Sequence, residues 1–308
     1  MELPSDDSLR FVVARYAYLR HAYGEVVGTP VLVEPTGRFF PDAFEKDVAS
    51  LERLFRRTLR YSPVDEDLDF AFEFVDASDG SGGCGTGGCS TTGVKDVARG
   101  GVRAAADGGD VVVSVDVGHV ADPTLLTTSI ARSVGALVLV AASDPSPNSE
   151  RDVLAELAAV QTGLGLLLLG GSSVYKKACS GIREHRATTL STCELAVALA
   201  LFHAVHGIPT RTSKTHLMTT QREAFGLAED WVASNPELVA TLRDAPERLV
   251  DGVFEVQPTR GLIARFFARK SVVHAPESVA PARPAASKPR SARFEEDRAL
   301  VEEAFKKA

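Results

Sequence analysis

Cys84-Gly-Thr-Gly-Gly-Cys89 places two thiols with four residues between them inside a glycine-rich stretch. That is the wide end of the spacing used by metal-binding cysteine pairs, and the flanking glycines would let two thiolates converge. One pair is half of a structural zinc site. Cys179, Cys193 and His185 are the residues able to complete it. A redox pair and two free thiols are the competing readings. A second group is Lys176-Lys177-Ala-Cys179-Ser-Gly-Ile-Arg183-Glu-His185-Arg186. Cations beside a thiol lower its pKa, so this stretch reads either as a reactive-cysteine or anion-binding loop or as a solvated connection between helices. His203 and His206 lie three apart near the end of an apolar helix. They read either as metal ligands, for which a nearby acidic partner is missing, or as structural residues, since imidazolium is favourable at a helix C-terminus. Asp116, His119 and Asp122 cluster at a strand-to-helix turn, where Asp122 reads as a cap. Two chemistries are excluded. Gly80–Gly88 lacks the G-K-[ST] ending of a phosphate loop, and neither Ser129 nor Ser133 sits in a G-x-S-x-G elbow.

The elements that must position these groups run from Asp122 to Gly207 and read as three apolar helices in a row. Asp122-Pro123 opens the first, with Asp as N-cap and Pro at the first helical position. The second starts near Ser149 or Glu150 and runs to Leu169, with Gly170-Gly171 ending it. The third opens on the capping-box pattern Ser191-Thr-Cys-Glu194 and stops at Gly207, with Pro209 beyond. All three are apolar almost all round and should be buried. Their polar seams carry Arg132 and Ser133 on the first helix and Glu156 on the second. A buried charge is expensive unless paired, so Arg132 is expected against Glu156.

Together with Pro35-Thr-Gly-Arg-Phe-Phe-Pro-Asp42, this block resembles an uncharacterised bacterial family of zincin-like metallopeptidases. In that family a P-T-x-x-F-F-P segment precedes an amphipathic helix and a β region, and a helix bearing H-E-x-x-H comes next. A later helix reads D-L-x-x-V-x-x-G-x-G and a third ends in A-L-A-L-F. Here Glu156-Leu-Ala-Ala-Val-Gln-Thr-Gly-Leu-Gly165 and Ala198-Leu-Ala-Leu-Phe202 stand at the last two places. The resemblance covers residues 10–207. It implies a zincin-like scaffold, with Glu156 where a later acidic ligand would be. The departure is at the zinc motif, where the positions read Arg132-Ser133-Val134-Gly135-Ala136. Both histidines and the general-base glutamate are missing, and Arg132 would put a positive charge where zinc should sit. The resemblance thus implies the scaffold and argues against its reaction.

The expected fold class is α+β, a mainly helical zincin-like core with a small β-sheet, a long Gly-rich loop and a tethered C-terminal helix. Ser8–Tyr23 reads as an amphipathic helix and Pro30–Glu34 as a short strand. Asp42–Tyr61 reads as a helix with Val48, Leu51, Phe55 and Leu59 inward and Arg53, Arg56, Arg57 and Arg60 outward. Leu68–Phe74 and Val111–Val117 alternate strictly and should pair as strands. Two further helices are expected at Thr220–Ser234 and from Asn235-Pro236. The domain is placed at 1–272, with 76–110 as a flexible Gly/Cys loop and 208–272 as a C-terminal helical part. Residues 260–270 form a basic amphipathic segment expected to close the domain as a peripheral helix, with contact to a membrane surface or an acidic partner as the alternative. A Pro/Ala linker is expected at 273–292, then a short amphipathic helix at 293–308 suited to an unidentified protein partner.

The 308 residues carry a net charge of −7, which disfavours a nucleic-acid role. The acidic start and the short apolar run Leu164–Gly171 suggest neither a secretory leader nor a transmembrane segment. Four cysteines in such a chain point to reduced thiols in the cytoplasm. The leading functional expectation is a non-catalytic, degenerate metallopeptidase-like protein that acts as a binding or scaffold module without a cofactor. The alternatives are a metal-dependent hydrolase with relocated Cys/His ligands, for which zinc is the cofactor, and a thiol redox protein.

Overall fold

The computed structural model describes residues 1–75, 101–104, 111–178 and 181–259. Cys84, Cys89, Cys179, the linker and the segments 260–270 and 293–308 lie outside the described residues. The described chain is α+β and mainly helical.

Helix α1 spans Asp6–Val27, longer than expected, and Ser5 caps it by accepting from Ser8 N. Helix α2 spans only Val48–Leu59, because the Asp47/Ser50 capping box sets its start. As its first residue Val48 points outward and is 57% exposed, against the expectation that it faces the core. Strands β1 (Phe70–Val75), β2 (Gly101–Ala104) and β3 (Val111–Asp116) form one sheet in the order β1-β3-β2. The two alternating stretches pair in parallel with Phe70 opposite Val111, and β2 pairs antiparallel to β3. The Phe55 ring of α2 closes over this sheet, 4.6 Å from Phe70. Phe74, at the far end of β1, is 46% exposed.

A short helix α3 (Val117–Val120) turns the chain into α4 (Pro123–Ala141). Asp122 caps α4 by accepting from Thr124 N and Leu125 N, with Pro123 at the first position. The second core rod is not one regular helix. It comprises α5 (Asn148–Ala159), a kinked turn Val160–Leu164 and α6 (Gly165–Gly170). Within the turn Gly163 has φ +94, where a side chain is strained, and a Cβ there would lie 2.0 Å from the Val31 carbonyl oxygen. Val33 N donates to Gly163 O at 3.0 Å. Pro30–Glu34 is therefore not a strand; it is a segment docked on the kink of a helix. Helices α4 and α5 also meet backbone to backbone, since a Cβ on Gly135 would lie 1.9 Å from the Ala155 carbonyl oxygen.

Strands β4 (Val174–Ala178) and β5 (Gly181–His185) form a separate antiparallel hairpin. Helix α7 (Thr192–His206) opens on the Ser191/Glu194 capping box and ends at left-handed Gly207. Then come α8 (Arg211–Thr215), α9 (Thr219–Ser234), α10 (Pro236–Asp244) and a 3₁₀ turn Pro246–Leu249. Almost every side chain of α7 from Leu195 to Val205 is buried. By length and composition, α4 and the rod Asn148–Gly170 each qualify to cross a bilayer, with mean hydropathies of 1.6 and 1.8. Both are longer than the unbroken apolar run Leu164–Gly171, because isolated polar residues interrupt them in the sequence. In the folded chain 72% and 89% of those windows are buried inside the protein.

One buried group works against the core. The Tyr16 hydroxyl is fully buried and has no hydrogen-bond partner among the described residues, and an unpaired buried donor costs free energy. Tyr16→Phe is expected to raise stability by about 1 kcal/mol in urea unfolding. A loss of that size would mean that the hydroxyl is bonded in solution.

Candidate functional site

Arg132 of α4 is 3% exposed and Glu156 of α5 is 0% exposed. Arg132 Nε lies 3.2 Å from Glu156 Oε1 as the ion pair the seams implied. The guanidinium also reaches Asp152 Oδ1 at 2.8 Å and donates from Nη2 to Thr189 Oγ1 at 3.2 Å. Asp152 belongs to no motif, although its spacing four residues before Glu156 places it on the same face of α5. Both Glu156 oxygens are engaged further: Thr189 N donates to Oε1 at 2.5 Å and Leu190 N to Oε2 at 2.9 Å. One carboxylate thus ties α4, α5 and the segment leading into α7 together. Burial pushes the Glu156 carboxyl up to about 7, against the pull of Arg132 and of the two backbone N–H groups.

These residues do not fit a zinc ion. The guanidinium occupies the charge site beside the one carboxylate, and that carboxylate has no oxygen left over. Ser133 offers a buried hydroxyl without a hydrogen-bond partner among the described residues, and half-buried Ala136 offers only a methyl. Among the described residues no group of three or more His, Cys, Asp and Glu is arranged to hold a metal.

The cluster at the β3–α4 turn forms a line. Asp116 Oδ1 accepts from Gly118 N at 2.8 Å and its Oδ2 lies 3.8 Å from His119 Nε2. His119 Nδ1 is 2.7 Å from Ser129 Oγ. Ser129, unremarkable as a nucleophile, is the partner of His119, a role its sequence position does not suggest. It is 1% exposed and lies mid-helix, so its hydroxyl has neither the sharp strand-to-helix turn nor the open approach that acyl transfer needs. The line anchors the turn.

His203 is buried and uses both ring nitrogens. Nδ1 lies 3.0 Å from Ile208 O, and Nε2 lies 3.0 Å from Ser213 Oγ. This fixes the neutral tautomer, with Nδ1–H donating to the carbonyl and Nε2 accepting from the hydroxyl. Burial lowers its pKa. His206 falls to about 4 through burial and the nearby positive charges of Arg20 and Arg243. The expectation of a helix terminus stabilised by imidazolium is thus corrected, because at this end desolvation outweighs the helix dipole.

Lys176, Lys177, Arg183 and His185 do not lie on a loop between helices. They belong to the β4–β5 hairpin, with Lys176 opposite Arg183. His185 is exposed, and Arg186 Nη2 donates to Thr189 O at 2.9 Å. Cys193 is half-buried with Sγ 3.2 Å from Glu2 O, and burial raises its pKa, the opposite of an activated thiol.

A further feature, which no motif marks, is a groove of about 960 Å³ between α9 and α10, with α7 as its floor. Small residues leave the space: Ala200 and Ala204 on α7, Gly226 and Ala233 on α9, and Ala240 on α10. Leu227, Ile208 and Val239 make it apolar, and Glu223, Glu229 and Asp230 give it carboxylates. Small residues at outward positions of α9 and α10 are its only trace in the sequence.

No family model matches this chain, and no curated protein or solved structure matches it either.

Proposed function

We propose that this protein is a non-catalytic, degenerate relative of zincin-like metallopeptidases that serves as a binding or scaffold module. The observation that carries the reading is the Arg132–Glu156 ion pair with its two backbone donors, which turns the position of a metal ligand into a structural brace. Catalysis at such a position needs a free carboxylate and a vacancy for water, and the brace leaves neither. The amphipathic segment 293–308 on its Pro/Ala tether is suited to reach a protein partner.

Elemental analysis of the purified, untagged full chain tests the proposal. The comparison set is wild type, Glu156→Gln and Cys84→Ser/Cys89→Ser. The expected result is no stoichiometric zinc in any of the three. Zinc retained by wild type and lost in Glu156→Gln would overturn the proposal at its root. Zinc lost only in the cysteine variant would replace it with the relocated-ligand enzyme.

A further inference from the structure

The groove between α9 and α10 has the size of a small-molecule site. Its volume of about 960 Å³ lies at the upper end of the roughly 300–1,000 Å³ that such sites span. It is also long. Its α9 wall runs from Glu223 to Ala233, about 15 Å at the rise of a helix. Ala200 and Ala204 on the floor, with Gly226, Ala233 and Ala240 on the walls, keep it open. Ile208, Leu227 and Val239 give it apolar sides.

The charges around the groove are already in use. Glu223 Oε1 lies 3.4 Å from the Met1 amino group, and Lys214 Nζ lies 2.6 Å from Glu229 Oε2. Asp230 has an interaction of its own. Arg243 donates to the Ala204 carbonyl at 2.9 Å and to the Val205 carbonyl at 3.2 Å. His203 spends both ring nitrogens on Ile208 O and Ser213 Oγ. The backbone at the end of the floor is satisfied too, since Gly207 N and Ile208 N both donate to His203 O. A charged ligand would give up its hydration here without gaining a partner. A neutral chain gives up only the contact of its apolar surface with water, which is favourable. Charge complementarity therefore selects an occupant without charge, and the length of the groove selects an elongated one.

We infer that this groove binds an uncharged, elongated apolar small molecule of the long-chain alcohol kind, with its chain laid along α9. The inference does not depend on the zinc question, since no residue of the Arg132–Glu156 brace lines the groove.

The test is photolabelling of the full chain with a dodecanol analogue that carries a diazirine on its chain. The expected adducts map to α7, α9 and α10. Ala233 and Ala240 are exposed positions of the groove. Ala233→Trp and Ala240→Trp, made separately, fill it from opposite walls without touching the core. Each should lower the labelling about tenfold, a loss of about 1.4 kcal/mol. Unlabelled dodecanol should displace the probe. Dodecanoate and dodecyltrimethylammonium should need concentrations about tenfold higher. Absent labelling, adducts on another surface, or a yield unmoved in both variants overturn the inference. Displacement by either ion at the concentration of the alcohol overturns it as well, because the groove would then hold a charged group.

Discussion

Glu156→Ala should cost about 3–5 kcal/mol of stability, because breaking a buried ion pair from one side strands the other charge. Three groups lose an acceptor at once: the Arg132 guanidinium and the backbone N–H groups of Thr189 and Leu190. Asp152 still holds one corner of the guanidinium, so the lower end of that range is expected. Glu156→Gln keeps an acceptor and should cost less. It also isolates the titration. In the folded chain burial raises the Glu156 pKa from its ordinary 4.5 to about 7. Between those values the unfolded chain has lost the proton and the folded chain keeps it. The unfolded state gains, so the contribution of this group is full below about 4.5, declines as pH rises and is gone above about 7. The span amounts to about 3 kcal/mol. His203 and His206 slope the other way, because their lowered pKa values protect stability above 6.5 and surrender it as pH falls. Subtracting the urea-derived stability of Glu156→Gln from that of wild type, pH by pH, removes the histidines. The difference should fall steadily across the window. A flat difference would mean that Arg132 keeps Glu156 ionised throughout and that burial does not govern it.

Gly135→Ala should be nearly as damaging through a quite different cause. The added methyl would sit 1.9 Å from the Ala155 carbonyl oxygen and 2.9 Å from the Ala159 nitrogen. Both are backbone atoms of α5 and cannot swing aside as a side-chain tip would. Helices α4 and α5 must separate, which also stretches the Arg132–Glu156 contact between them. Overpacking of this kind costs about 3 kcal/mol or more when no rotamer relieves it. The control is Gly226→Ala on α9. A Cβ there meets nothing within 4 Å, and the change should stabilise the chain by about 0.5–1 kcal/mol. Thermal unfolding of the two variants side by side decides the matter. Equal and small effects would mean that the close α4–α5 approach is not maintained in solution.

The legible parts of the fold are those with local chemical causes. Asp122-Pro123, Ser191 with Glu194, and Gly207 each solve a helix-end problem within a few residues, and each stands where its residue type predicts. The Arg132–Glu156 pair is legible because two charges in apolar helices have little choice but each other. Other features depend on partners distant in sequence. Nothing near Gly163 announces that Val31 will press against it. Nothing near Lys176 announces a hairpin rather than a loop, since cations are unremarkable in both. The Ser129–His119 bond joins residues ten apart across a turn, where helical spacing offers no guide. The groove is a shape left by small side chains, and absent bulk reads in a sequence as mere tolerance.

Gly163 has a consequence for direction. A helix keeps one axis only while each residue repeats the same right-handed pair of dihedrals. At φ +94 and ψ 4 Gly163 breaks that repeat, and the rod is two helices meeting at a kink. Leu154 and Leu157 are buried along the first of them and Leu166–Leu169 along the second. Two stretches that read in the sequence as one apolar run therefore serve two directions in the core. The corner between them hangs on a single residue, like the mitre in a picture frame.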